Sequence, residues 1–147
     1  MLKNTSNTKN YLIFITLLLI NNGCTAIDVY DKVAYENTIN IKVEALALMG
    51  LATSNYSEKT ENVGMLKLEV EKAYEYAKGR PKNSIVTKQW EIMKDPNRKL
   101  LGGFLERWKD EGTLELHYIQ EAKGTISDAF DQIIGLESGK TKPEDVQ

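Results

Sequence analysis

Residues 119–136 read IQEAKGTISDAFDQIIGL, and Ile119, Ala122, Ile126, Ala129, Ile133 and Leu136 fall three, four, three, four and three residues apart. That spacing returns to one face of an α-helix, so the stretch predicts a long amphipathic helix with Ile126 and Ile133 inside. Thr113, just after Gly112, is the expected cap at its start, and its stop is expected after Leu136, around Gly135 to Gly139.

Upstream the same period recurs. Ile27, Tyr30, Ala34, Ile41, Ala45, Leu48 and Ala52 give a first long helix, interrupted only near Asn37 and Thr38 and ending near Thr53-Ser54-Asn55. Val63, Leu66, Val70, Ala73 and Ala77 give a second, with Ser57 as a hydroxyl cap before it and Gly79 as its stop. Residues 80–112 differ. Pro81, Ile85, Val86, Trp90 and Met93 outline one short helix, and Leu100, Leu101, Phe104, Leu105 and Trp108 another, with Asp95 as cap and Pro96 at its first position. Gly102-Gly103 inside the latter implies a bend or a close backbone approach.

No segment alternates with period two for long enough to make a sheet. The expected fold is therefore all-α: an antiparallel, up-down bundle of three long helices, with two short helices capping or completing it. Residues 138–147 read as a polar, frayed tail after a domain spanning 24–137.

The patterns that carry catalytic or metal chemistry are sparse. His117 is the single histidine and lies about 200° around the helix from the Ile119 stripe, so an exposed side chain is expected. Glu71 with Glu75, Glu111 with Glu115 and Asp128 with Asp131 are carboxylate pairs at helical spacing. A di-iron bundle also needs Glu-x-x-His pairs, and Leu114 stands three before His117, so a solvated face is expected instead. Zinc fails on ligand count, and Gly102-Gly103 neither follows a strand nor precedes a Lys-Ser/Thr pair. No enzyme, metal or cofactor is expected.

Charge is uneven. Between Lys78 and Lys109 nine basic residues stand against three acidic ones, and all three arginines and both tryptophans of the chain fall there. Arginine recognises phosphate or carboxylate through a planar fork and tryptophan anchors interfaces, which makes Arg80, Trp90, Arg98, Arg107 and Trp108 a candidate partner-binding set. The other reading puts Trp90 and Trp108 in the core of the short helices, with the cations solvated or paired to acidic neighbours. The net charge is negative, which disfavours nucleic acid.

The N-terminus speaks of destination. Lys3 and Lys9 precede a ten-residue apolar run, Tyr11 to Ile20 (YLIFITLLLI), and Gly23 stands directly before Cys24, the one cysteine. Residues 1–23 resemble a bacterial lipoprotein signal peptide, in which a small residue precedes a cysteine that is lipidated and becomes the mature N-terminus. Gly23 and Cys24 match that pattern, whereas Asn21 and Asn22 depart from it. The resemblance implies a lipid anchor on Cys24. Ordinary secretion with a cut after Ala26 remains an alternative. An uncleaved anchor fits least, because ten residues of helix span only about 15 Å.

With no second thiol the fold must rest on packing. The expectation is a membrane-anchored envelope lipoprotein, facing the periplasm or exterior. Its helical domain is expected to bind another envelope component through the 78–109 segment, protein first and anionic cell-surface material second. A membrane-tethered enzyme or enzyme inhibitor, using carboxylates between helices, is the alternative.

Overall fold

The computed structural model describes residues 30–142 and Asp145. The signal peptide read over 1–23, the lipidation site Cys24, the alternative cut after Ala26 and Ile27 lie outside the described residues, whereas Tyr30, read as part of the first helix's stripe, is exposed and stands before the extended Asp31 cap from which that helix starts. Five α-helices run in order: α1 Lys32–Met49, α2 Thr60–Gly79, α3 Ser84–Lys94, α4 Leu101–Glu111 and α5 Leu116–Glu137. Among the described residues there is no strand. The all-α expectation holds, and no helix there is long and apolar enough to cross a membrane.

Four helices close a ring, α1 beside α2, α2 beside α3, α3 beside α5 and α5 beside α1. Neighbours run antiparallel. Asp31, before α1, meets Arg80, after α2, and the Ala52 carbonyl beyond α1 accepts from the Leu114 amide ahead of α5. Asn83, before α3, bonds the Ala77 carbonyl near the end of α2. Of the two short helices, α3 thus completes the ring and α4 closes one end of it. Trp108 of α4 seals that end, its indole N–H donating to the Ser54 carbonyl at 3.0 Å and its ring meeting Tyr56 edge-on.

The stripes read from the sequence line the core. Ile41, Ala45, Leu48, Val63, Leu66, Val70, Ile126 and Ile133 are buried, and Trp90 packs edge-on against Phe130 between α3 and α5. Burying such side chains drives the collapse at roughly 25 cal/mol per Å² of apolar surface.

Several local expectations are overturned at helix ends. Thr38 does not interrupt α1: its hydroxyl donates to the Ala34 carbonyl at 2.8 Å, and the residue is buried as part of the stripe. Ser57 does not cap α2: Asn55 accepts from the Ser57 amide and hydroxyl and so caps a single 3-10 turn, Tyr56–Glu58, and α2 then begins after Lys59 with no side-chain capping bond. Asp95 accepts from the Asn97 amide and so turns the chain locally, and α4 begins only at Leu101. Glu115, with no side-chain capping bond, stands where Thr113 was expected.

The glycine pair does mark a close approach. A Cβ on Gly102 would run into the Lys94 carbonyl and one on Gly103 into the Arg98 carbonyl, so only glycine lets α4 fold back onto the end of α3. Gly139, at φ 70°, ends α5 in a left-handed turn, with the Lys140 and Thr141 amides donating to the Gly135 carbonyl.

Candidate functional site

The five residues chosen from the basic segment do not share a surface. Trp90 and Trp108 are buried, 1% and 0% exposed, which corrects their assignment as partner-binding anchors: each has found a core neighbour instead. Arg80 also points inward, with its side chain 11% exposed and Nη1 donating to Glu137 Oε2 at 2.7 Å. Arg98 and Arg107 are exposed near the α4 end of the bundle, away from Arg80. Arg98 lies 3.7 Å from Asp95, and Arg107 pairs with Glu111 at 2.7 Å while its guanidinium sits 4.0 Å from the Tyr118 ring centroid.

The conspicuous open surface is the seam between α1 and α2. Its upper part is a groove of about 830 Å³ lined by Ala47, Leu51, Met65, Leu66 and Leu68, with Glu44 and Glu69 beside them. It continues into a smaller hollow of about 280 Å³ lined by Asn37, Asn40, Lys72 and Tyr76. Leu51, Met65 and Leu68 are 47%, 54% and 55% exposed, and Val43 on α1 is also exposed. The α1–α5 and α2–α3 seams, by contrast, are bridged by Lys42 to Asp131 at 2.6 Å and Lys94 to Glu71 at 2.8 Å. Contiguous apolar exposure of this kind marks contact surfaces. The sequence held the signal in residues outside the buried stripes, since Val43, Met65 and Leu68 fall between the positions that face the core.

A second hollow opens where α3 stops short of the first turns of α2. It encloses about 530 Å³, with Val70, Pro96, Leu101 and Leu105 as an apolar floor and Glu71, Glu91, Asp95 and Glu106 among its rim residues. Hydrogen bonds from Lys88 to Glu91, from the Asn97 amide to Asp95 and from Lys109 to Glu106 hold these three carboxyls below their ordinary range, outweighing partial desolvation. Glu71 is bound by Lys94, whose ammonium also sits 3.6 Å from the Tyr74 ring centroid. Held ionised in this way, Glu91, Asp95 and Glu106 favour contact with a polar or cationic ligand over proton donation.

The carboxylate pairs scatter as well. Glu75 bonds Lys78, Glu111 bonds Arg107, and Asp131 bonds Lys42, each on a different part of the surface. Glu115 and Asp128 are exposed, and so is His117, which lies 3.2 Å from Glu121. Among the described residues no three His, Cys, Asp or Glu side chains gather as a metal site. The chain matches no family model, no curated protein and no solved structure.

Proposed function

We propose that this chain is an envelope lipoprotein, anchored through Cys24, whose helical bundle docks a protein partner along the α1–α2 seam. The observation that supports docking is the exposed apolar row of Leu51, Met65 and Leu68 over a groove between two antiparallel helices. The anchor rests on Gly23-Cys24 after the apolar run. Seven residue steps separate Cys24 from Asp31, so a lipid there would keep the Asp31 end of the bundle within about 25 Å of the membrane. A protein partner fits the groove better than anionic surface material does, because Glu44 and Glu69 line it and its lysine, Lys72, is paired to Glu69.

The test has two arms. A photoreactive amino acid at Leu68 should cross-link a discrete partner in intact cells, and one at exposed Gln120 on α5 should not. Cys24→Ala should release the protein from the membrane fraction or leave its signal uncut, since stable anchoring takes two or more acyl chains. An unlipidated mature N-terminus at Ile27 defeats the anchor. Loss of cross-linking specificity at Leu68 defeats the docking surface.

The carboxylate-rimmed hollow between α2, α3 and α4 favours a second reading, a tethered enzyme or enzyme inhibitor. Glu71→Gln with Glu106→Gln would abolish activity or inhibition under that reading and leave docking at Leu68 intact.

A further inference from the structure

The α1–α2 seam has a shape, a polarity and a charge that together narrow its occupant. It runs from Asn37 and Tyr76 at one end to Leu51 and Asn62 at the other. Fourteen residue steps along the chain from Asn37 to Leu51 correspond to about 21 Å, or about four helical turns. A groove between two antiparallel helices is also the surface into which a third helix packs its ridges. Apolar residues occupy one half of the seam, asparagines and charges the other. Midway along, exposed Glu44 makes no ion pair among the described residues, whereas Glu69 is engaged by Lys72 at 2.7 Å.

We infer that the α1–α2 seam receives an amphipathic helix of a partner protein, about four turns long, that lays its apolar stripe against Leu51, Met65 and Leu68 and sets a lysine or arginine against Glu44. This inference rests on the docking reading above and adds the conformation and charge of the occupant.

Two other occupants fit less well. A second copy related by a twofold axis along the seam would bring Glu44 against its own counterpart, with Glu69 close by, and like charges facing each other oppose pairing. A twofold across the seam would set the two anchored ends at opposite extremes of the dimer, which demands two facing membranes. An anionic lipid surface is unsuited because carboxylates outnumber lysines along the seam. A helix with a basic residue satisfies the apolar row and the unpaired carboxylate together.

The experiment uses the full lipidated chain in zwitterionic nanodiscs with its methionine methyls labelled. Met65 lies in the seam and Met93 is buried elsewhere in the core, so one protein carries both reporter and control. Two synthetic 15-residue helical peptides serve as probes, each with leucines at positions i, i+4, i+7 and i+11, and with either lysine or glutamate at the central edge of that stripe. The lysine peptide should move the Met65 methyl and leave Met93 in place, and the glutamate peptide should bind about fivefold more weakly. Glu44→Lys should reverse that preference, and Leu68→Glu should abolish both responses without altering the melting curve.

The inference is overturned if neither peptide moves Met65, or if both bind alike and Glu44→Lys changes nothing. It is equally overturned if Met65 shifts with protein concentration alone, which assigns the seam to a second copy, or with anionic lipid alone, which assigns it to the membrane. Persistent cross-linking at Leu68 in cells beside a negative peptide result keeps docking and rejects the helical occupant. Failure of both arms removes the docking reading itself.

Discussion

Arg80 Nη1 donates to Glu137 Oε2 at 2.7 Å, and this single contact joins the residue after α2 to the last residue of α5. The same guanidinium lies 3.5 Å from Asp31, whose other oxygen caps α1 through the Val33 and Ala34 amides. Three chain segments thus meet in one charged cluster at the Asp31 end of the bundle. Glu137 is only 3% exposed, so removing one partner leaves charge in a site that water reaches poorly.

Glu137→Ala should therefore destabilise the fold by about 3 kcal/mol, whereas the paired change Arg80→Met with Glu137→Leu should lose much less, because apolar side chains of similar volume tolerate burial. Urea midpoints of the two variants decide between them. Equal loss in both would mean that shape rather than charge governs the cluster.

Acid should weaken this cluster through Asp31. Desolvation pushes its carboxyl up, but the Ala34 amide, the Tyr76 hydroxyl, the Arg80 charge and the Val33 amide together hold it below its ordinary value of 3.8. A carboxyl depressed in the folded state contributes stability in full above its unfolded value and loses it as pH falls through the folded one. Asp31→Asn should thus lower stability at pH 7 and flatten the decline below about pH 4. The bond to Asp31, with desolvation behind it, raises the Tyr76 hydroxyl above 10.0, a contribution present at neutral pH and lost as pH climbs past the folded value. Tyr76→Phe should flatten the alkaline limb. Chemical denaturation across the pH range reads both effects.

Glycines inside helices separate into two kinds. A Cβ at Gly102 meets the Lys94 backbone, so Gly102→Ala should cost about 1 to 3 kcal/mol or misplace α4, with Trp108 fluorescence shifting as its site opens. Gly64 in α2 and Gly124 in α5 have open space around the same position, and alanine there should stabilise by up to about 1 kcal/mol. If Gly102→Ala melts with the parent, the close fold-back of α4 on α3 is not a constraint.

How far the sequence carried this reading depends on the kind of signal. Period 3.6 is set by burial itself, so Ile126, Ile133, Val63 and Leu66 were legible as core. Caps are short-range competitions among several eligible oxygens, which is why Asn55 capped a short turn at Tyr56–Glu58 ahead of α2 and Asp95 closed a turn of its own. Clustering of cations along the chain carried no information about clustering in space. Arg80 and Arg107 belong to opposite ends of the bundle, because α3, the turn after it and α4 carry the chain from one end to the other between them. The α1–α2 seam could be suspected only from apolar residues outside the stripes, and deciding that two such sets share one groove requires knowing that α1 and α2 are neighbours.

The arginines also provide the sharpest contrast with the seam. Arg98 and Arg107 are exposed, each partners a carboxylate on its own stretch of chain and only the Arg107 stack on Tyr118 reaches another helix, so Arg98→Ala with Arg107→Ala should cost no more than about 1 kcal/mol by urea midpoint. Leu68→Glu is likewise a surface change, worth no more than about 0.5 kcal/mol in stability. Cross-linking through a photoreactive group at Met65 should survive the arginine pair and disappear with Leu68→Glu, because the partner's apolar stripe would then face a carboxylate. The opposite pattern, loss with the arginines and survival with Leu68→Glu, would return the contact surface to the turn and helix around residues 98–107 and leave the α1–α2 seam without a role in docking.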